Sequence, residues 1–185
     1  MGILDLFTTR AKEKDAVHGL YGVIVAHARN PVFYVEYGVP DTVEGRFDMI
    51  SLLAFIVLRR LRTGARQGTR LGQMLFDLMF ADMDGNLREM GVGDLRVGKK
   101  VKELASLFYG RIAAYEEARG DQARMAAALK RNLYRSEDVR PALAEAMAAY
   151  VLAEISRSEE WPLDDLYAGA LAFSPADSEN SSGDG

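Results

Sequence analysis

The sequence contains no cysteine, an absence that excludes disulfides, thiolate-ligated zinc, iron–sulfur ligation and a thiol nucleophile. Histidine is nearly missing too, with only His18 and His27 present. At 100° per residue these two fall on opposite sides of one helix, so they cannot share a metal there. Proline is scarce, five in 185 residues, and no stretch alternates apolar and polar residues as a half-buried strand would. The most apolar run, Met49 to Leu58 interrupted only by Ser51, falls well short of the ~20 residues a membrane span needs. Met1-Gly2-Ile3-Leu4-Asp5-Leu6-Phe7 has neither the basic start nor the long apolar core of a secretory signal. A cytoplasmic location follows as the expectation.

What is present is helical periodicity and an uneven charge. The net charge of −4 hides a polarity: of the 23 Lys and Arg, all but Arg140 and Arg157 precede Glu137. The first part is therefore net positive, and the final segment is acidic. Apolar spacing predicts a helix over 15–29, ended by Asn30-Pro31, and a short one over 32–37. Gly38-Val39-Pro40-Asp41-Thr42 reads as a turn in which Asp41 or Thr42 caps the next helix. That helix, around Phe47 to Leu61, is apolar around nearly its whole circumference, the pattern of a helix at the centre of a core. Further helices are expected over 71–90, from Asp121 to about 133, after Pro141, and over 163–173; another, closing near Gly120, presents Val101, Leu104, Phe108, Ile112 and Tyr115 on one face.

The fold class is thus all-α: a single compact domain of about seven to eight helices, over residues 16–173. A short segment (1–15) precedes it, and an acidic tail (174–185) of disordered composition follows.

Three motifs invite chemistry. Gly93-Asp94-Leu95-Arg96-Val97-Gly98-Lys99-Lys100 has the glycine and lysine spacing of a phosphate-binding loop, but Lys100 stands where Ser or Thr should meet Mg²⁺ and no strand precedes it. Asp82-Met83-Asp84-Gly85-Asn86 starts like a calcium loop, yet Leu87 and Gly93 occupy the positions that need glycine and glutamate. Asp77, Asp82 and Asp84 could together hold a divalent cation in a helical enzyme, an alternative the sequence leaves open. Otherwise nothing calls for a catalytic residue, a metal or a cofactor. Arg59, Arg60, Arg62, Arg66 and Arg70 fall in one stretch without an acid. They suit a ribosomal surface or anionic membrane, or simply oppose the negative end of a helix dipole. DNA is not an expected partner.

Two blocks carry a resemblance. The first is Gly38-Val39-Pro40-Asp41-Thr42-Val43-Glu44-Gly45-Arg46-Phe47-Asp48, running into Leu58-Arg59-Arg60-Leu61. The second is Phe76-Asp77-Leu78-Met79-Phe80-Ala81-Asp82-Met83-Asp84, continuing through Leu87-Arg88-Glu89-Met90-Gly91-Val92-Gly93-Asp94 to Lys99 and Lys102. Together they resemble the ubiquinol–cytochrome c chaperone family, over about residues 16–155, as a bacterial member. One departure is Leu53, where relatives often carry histidine.

The resemblance implies an all-α, non-enzymatic assembly factor for the cytochrome bc1 complex. Cytochrome b or other bc1 subunits would be its partners, and the cytoplasmic face of the inner membrane its place of work. The expected partner-binding residues are Arg46, Asp48, Asp77, Asp82, Asp84, Arg88, Glu89, Asp94, Lys99 and Lys102. Methionines at Met74, Met79, Met83 and Met90 fit either adaptable binding of apolar surface or a core.

Overall fold

A computed structural model describes residues 3–136 and 138–176. Every regular element among these residues is helical: α1 (Ile3–Ala28), α2 (Pro31–Val35), α3 (Val43–Leu61), α4 (Ala65–Glu89), α5 (Asp94–Ala118), α6 (Gln122–Leu129), a π-helical turn (Lys130–Tyr134), α7 (Pro141–Ser158) and α8 (Leu163–Tyr167). The all-α expectation holds. The chain clusters into two compact units. The first comprises the described residues of Met1–Val23, Val57–Gly110 and Trp161–Leu171, and the second those of Ile24–Ile56, Arg111–Glu160 and Ala172–Gly185.

Several boundaries follow from the chemistry of single residues. Asn30 Oδ1 accepts from the Val32 N–H at 3.1 Å and Pro31 takes the first helical position, where its missing N–H costs nothing. Thr42 Oγ1 accepts from the Gly45 N–H at 3.0 Å and so caps α3, while Asp41 pairs instead with Arg46. Gly45 is required, because a Cβ there would lie 2.0 Å from the Pro40 carbonyl oxygen. Asp121 caps α6 by accepting from the Arg124 N–H at 2.9 Å. Along α3, Met49, Leu52, Leu53, Ala54, Phe55, Ile56 and Val57 are all buried, as the apolar circumference requires.

Elsewhere the boundaries move. Backbone helix begins at Ile3, well before the expected 15, and α4 begins at Ala65 instead of Leu71. Only Arg62–Gly64 separates α3 from α4, so the expected loop shrinks to a tight corner. Gly68 permits this corner, since a Cβ on it would sit 1.9 Å from the Leu61 carbonyl oxygen. The last helix stops at Tyr167 because Gly169 adopts φ +81, a left-handed conformation that ends a helix, against the Ala16 backbone in the same unit. Residues 170–176 continue without regular structure. Of the acidic tail, Ser174 is hydrogen-bonded to Glu154 and Ala176 is buried; residues 177–185 lie outside the described residues.

In the second unit α6 packs along α7, with Met125, Ala126 and Leu129 buried on one helix and Ala144, Met147, Ala148 and Val151 on the other. The alanines let the two backbones approach closely. Tyr134, closing the π-helical turn, donates through Oη to the Tyr37 carbonyl at 2.8 Å. Arg135 follows at φ +54.

Candidate partner-binding surface

The residues expected at a partner surface divide by their surroundings. Asp48 is buried, and Arg111 Nη1 lies 2.6 Å from its Oδ1. Arg135 contacts both of its oxygens, Nε to Oδ2 at 2.6 Å and Nη2 to Oδ1 at 3.0 Å. Burial raises the Asp48 carboxyl pKa above its ordinary value, and the two guanidinium groups limit the rise. Asp48 is therefore an internal group, and the expectation that it faces a partner is corrected: a carboxylate with both oxygens held by arginines and almost no exposure has nothing left to offer a docking protein.

Arg111 was not expected in this role. Its signal lay in the sequence, since Leu104, Phe108, Arg111 and Tyr115 follow helical spacing and the other three are apolar or aromatic. Arg46, by contrast, is exposed, pairs with Asp41 at 2.6 Å, and stands over the Tyr34 ring at 5.7 Å.

Asp77, Asp82 and Asp84 do not converge. Asp77 accepts from Gln73 Nε2 at 2.8 Å, and Asp82 from Tyr21 Oη at 2.8 Å and Asn86 Nδ2 at 3.1 Å. Asp84 holds Arg88 Nε at 2.5 Å. Among the described residues no three His, Asp or Glu side chains are grouped to hold a metal ion. Arg88 also pairs with Asp94, so the end of α4 is tied to the start of α5 within the first unit. Hydrogen bonding to Asp84 raises the Arg88 pKa further above its already high value. Glu89, Lys99 and Lys102 are exposed, Lys99 lying 4.0 Å from Glu103. Helix α5 starts at Asp94, and the Gly93 carbonyl accepts from Arg96 and Val97. The phosphate-loop spacing thus lies on a helix start and not in a cradle.

The arginine stretch is partly consumed within its own unit. Arg60 donates to the Trp161 carbonyl through Nε at 2.9 Å, and Arg70 pairs with the buried Glu13. Arg59 is half-buried, while Arg62 and Arg66 are exposed.

An aromatic face went unread in the sequence. On α4 and α5 of the first unit, Phe76 meets Phe80 at 4.6 Å between ring centroids, Tyr109 at 5.3 Å and Phe108 at 5.7 Å. Phe80 and Phe108 are buried beneath, but Tyr109 is 57% exposed; Leu107, on nearly the opposite side of α5, is 50% exposed. The available signal was that Leu107 and Tyr109 flank the buried Leu104–Phe108–Tyr115 stripe without belonging to it. Gly110, next to them, has nothing within 4 Å of where a Cβ would stand. Phe76 and Tyr109 thus form a partly exposed aromatic patch across α4 and α5.

The family of ubiquinol–cytochrome C chaperones matches residues 35–173, and the chain belongs to it. Among curated proteins, it is 24% identical over 166 residues to ubiquinol-cytochrome-c reductase complex assembly factor 1 of Xenopus laevis, covering 89% of this chain and 83% of that one. The mouse and human proteins of the same description are each 25% identical over 171 residues; the chain spans 58% and 57% of their length, a little over half. The crystal structure of the Cbp3 homolog from Brucella abortus superposes with a TM-score of 0.84 at 38% identity, covering 95% of this chain and 98% of that one.

Proposed function

We propose that this chain is an assembly factor for the ubiquinol–cytochrome c reductase complex that binds newly made cytochrome b, shielding its apolar surface until haem insertion and subunit joining. Family membership carries the assembly role, and the Phe76–Tyr109 patch supports the mode: partly exposed aromatic side chains, on helices tied together by Arg88 and Asp94, present apolar surface without disturbing the core. Holding a client in this way requires no covalent step.

The expected charged residues that are exposed (Asp77, Asp82, Lys99 and Lys102) would set orientation more than affinity, since exposed ion pairs are each worth only about 0–1 kcal/mol. Among the described residues no helix is long and apolar enough to cross a membrane, so contact with the inner-membrane surface would be peripheral. The exposed Arg62 and Arg66 are the members of the arginine stretch best placed for that contact. Affinity capture of the full chain from solubilised membranes, scored for cytochrome b, tests the client. Recovery of cytochrome b with the wild-type chain and its loss with Tyr109→Asp supports the reading, and equal recovery with both contradicts it.

A further inference from the structure

Past α8, residues 172–176 cross the second unit and cover two ionisable side chains. The Phe173 ring stacks on the His27 imidazole, 4.7 Å between centroids at 20° between planes. The Ser174 N–H donates to Glu154 Oε1 at 3.3 Å, and its hydroxyl donates to the same oxygen. Ala176 is 1% exposed. Beneath, His27 Nε2 lies 2.6 Å from Tyr150 Oη, and the rings of Phe33, Tyr37 and Tyr150 form a joined cluster with centroids 5.4–6.1 Å apart.

Closing this segment has an opposing cost. Glu154 is 1% exposed, yet its Oε2 has no hydrogen-bond partner among the described residues, and Arg157 Nε reaches only to 3.6 Å from Oε1. A buried carboxylate so incompletely matched is better solvated with the segment lifted. His27 faces Phe33 of α2, Tyr150 of α7 and Phe173. The charged groups of α7 beyond Tyr150 are Glu154 and Arg157, and Arg29 and Glu36 at the neighbouring chain ends are exposed.

We propose that residues 172–176 form a releasable strap, and that a proton taken up by His27 opens it from the Phe33–Tyr37–Tyr150 face. The neutral ring fits the closed site, accepting at Nε2 from the Tyr150 hydroxyl; the imidazolium loses its hydration there and regains it when Phe173 leaves. Burial lowers the His27 pKa below its ordinary 6.5 in the closed form, so the open form binds the proton more tightly. Opening is therefore independent of pH well above 6.5, grows by up to about tenfold per pH unit as pH falls below it, and levels off beneath the closed-form pKa. The unmatched Glu154 Oε2 opposes the closed strap in the same direction.

Hydrogen exchange of the full chain, read as the protection factor of the Ser174 amide between pH 8 and pH 5.5 with intrinsic rates divided out, tests the strap. Wild type should lose protection at Ser174 as pH falls through 6.5, while α3 amides keep theirs. His27→Phe, which retains a ring for Phe173 but cannot be protonated, should show no such dependence; His27→Gln serves if the first variant does not fold. Phe173→Ala should expose the Ser174 amide already at pH 8 while melting cooperatively. Three results would overturn the proposal: constant Ser174 protection in wild type, the same pH dependence in the His27 variants, or parallel loss of protection throughout α3.

Discussion

Arg111 and Asp48 form a buried ion pair, Nη1 to Oδ1 at 2.6 Å, with side chains only 6% and 0% exposed. A pair of this kind adds little over a matched apolar pair, but removing one member strands the other. Asp48→Asn leaves Arg111 buried without its counter-charge, and should destabilise the fold by about 3–5 kcal/mol. Arg135→Ala removes a partner that is 39% exposed and should cost clearly less. Urea denaturation midpoints check the order; equal midpoints for wild type and Asp48→Asn would show that the cluster carries no weight.

Tyr115 is a second buried polar group in the same unit, and its Oη has no hydrogen-bond partner among the described residues. Burial raises its pKa, so the phenol stays protonated across the physiological range. Deleting a hydroxyl that makes no bond removes a desolvation cost without breaking an interaction. Tyr115→Phe should therefore stabilise by about 1 kcal/mol, readable as a rise in melting temperature.

Glycines divide by what stands over them. At Gly68 an added methyl would meet the Leu61 carbonyl oxygen at 1.9 Å, whereas at Gly110 it meets nothing within 4 Å. Gly68→Ala should destabilise by at least about 1–3 kcal/mol through overpacking at the α3–α4 corner. Gly110→Ala should stabilise by about 0.5–1 kcal/mol, because alanine is the better helix former and no contact opposes it. Thermal melts of the two variants should shift in opposite directions.

Most of the fold was legible in the sequence because its signals were local. Asn30-Pro31, Thr42, Asp121 and Pro141 act through backbone atoms within a few residues, and each marked its boundary. The misplaced boundaries depended on distant partners. The α3–α4 corner needs Gly68 to pass the Leu61 carbonyl, and α8 ends where Gly169 meets Ala16, contacts no periodicity encodes. The partner residues split for the same reason. Arg46 and Asp48 stand two positions apart in one block, but helical geometry turns Arg46 outward and Asp48 onto Arg111 and Arg135. Leu107 and Tyr109 are apolar or aromatic, yet helical spacing alone sets both outside the Leu104–Phe108–Tyr115 stripe.

The surface face makes a prediction that separates binding from folding. Tyr109→Asp and Leu107→Asp place a charge on partly exposed positions, so the melting temperature should stay close to wild type. Only Tyr109→Asp breaks the aromatic patch with Phe76, Leu107 lying on nearly the opposite side of α5, and only it should lower complex assembly in cells severalfold. Arg88→Ala, which removes the surface pairs with Asp84 within α4 and Asp94 of α5, should change assembly less than Tyr109→Asp.

The central claim is tested most directly by deleting the gene and measuring assembled ubiquinol–cytochrome c reductase by native gel and haem-b spectroscopy, with cytochrome b transcript quantified in parallel. The account predicts a marked loss of assembled complex at unchanged transcript, restored by the wild-type chain and not by Tyr109→Asp. Normal levels of the complex in the deletion strain would contradict it.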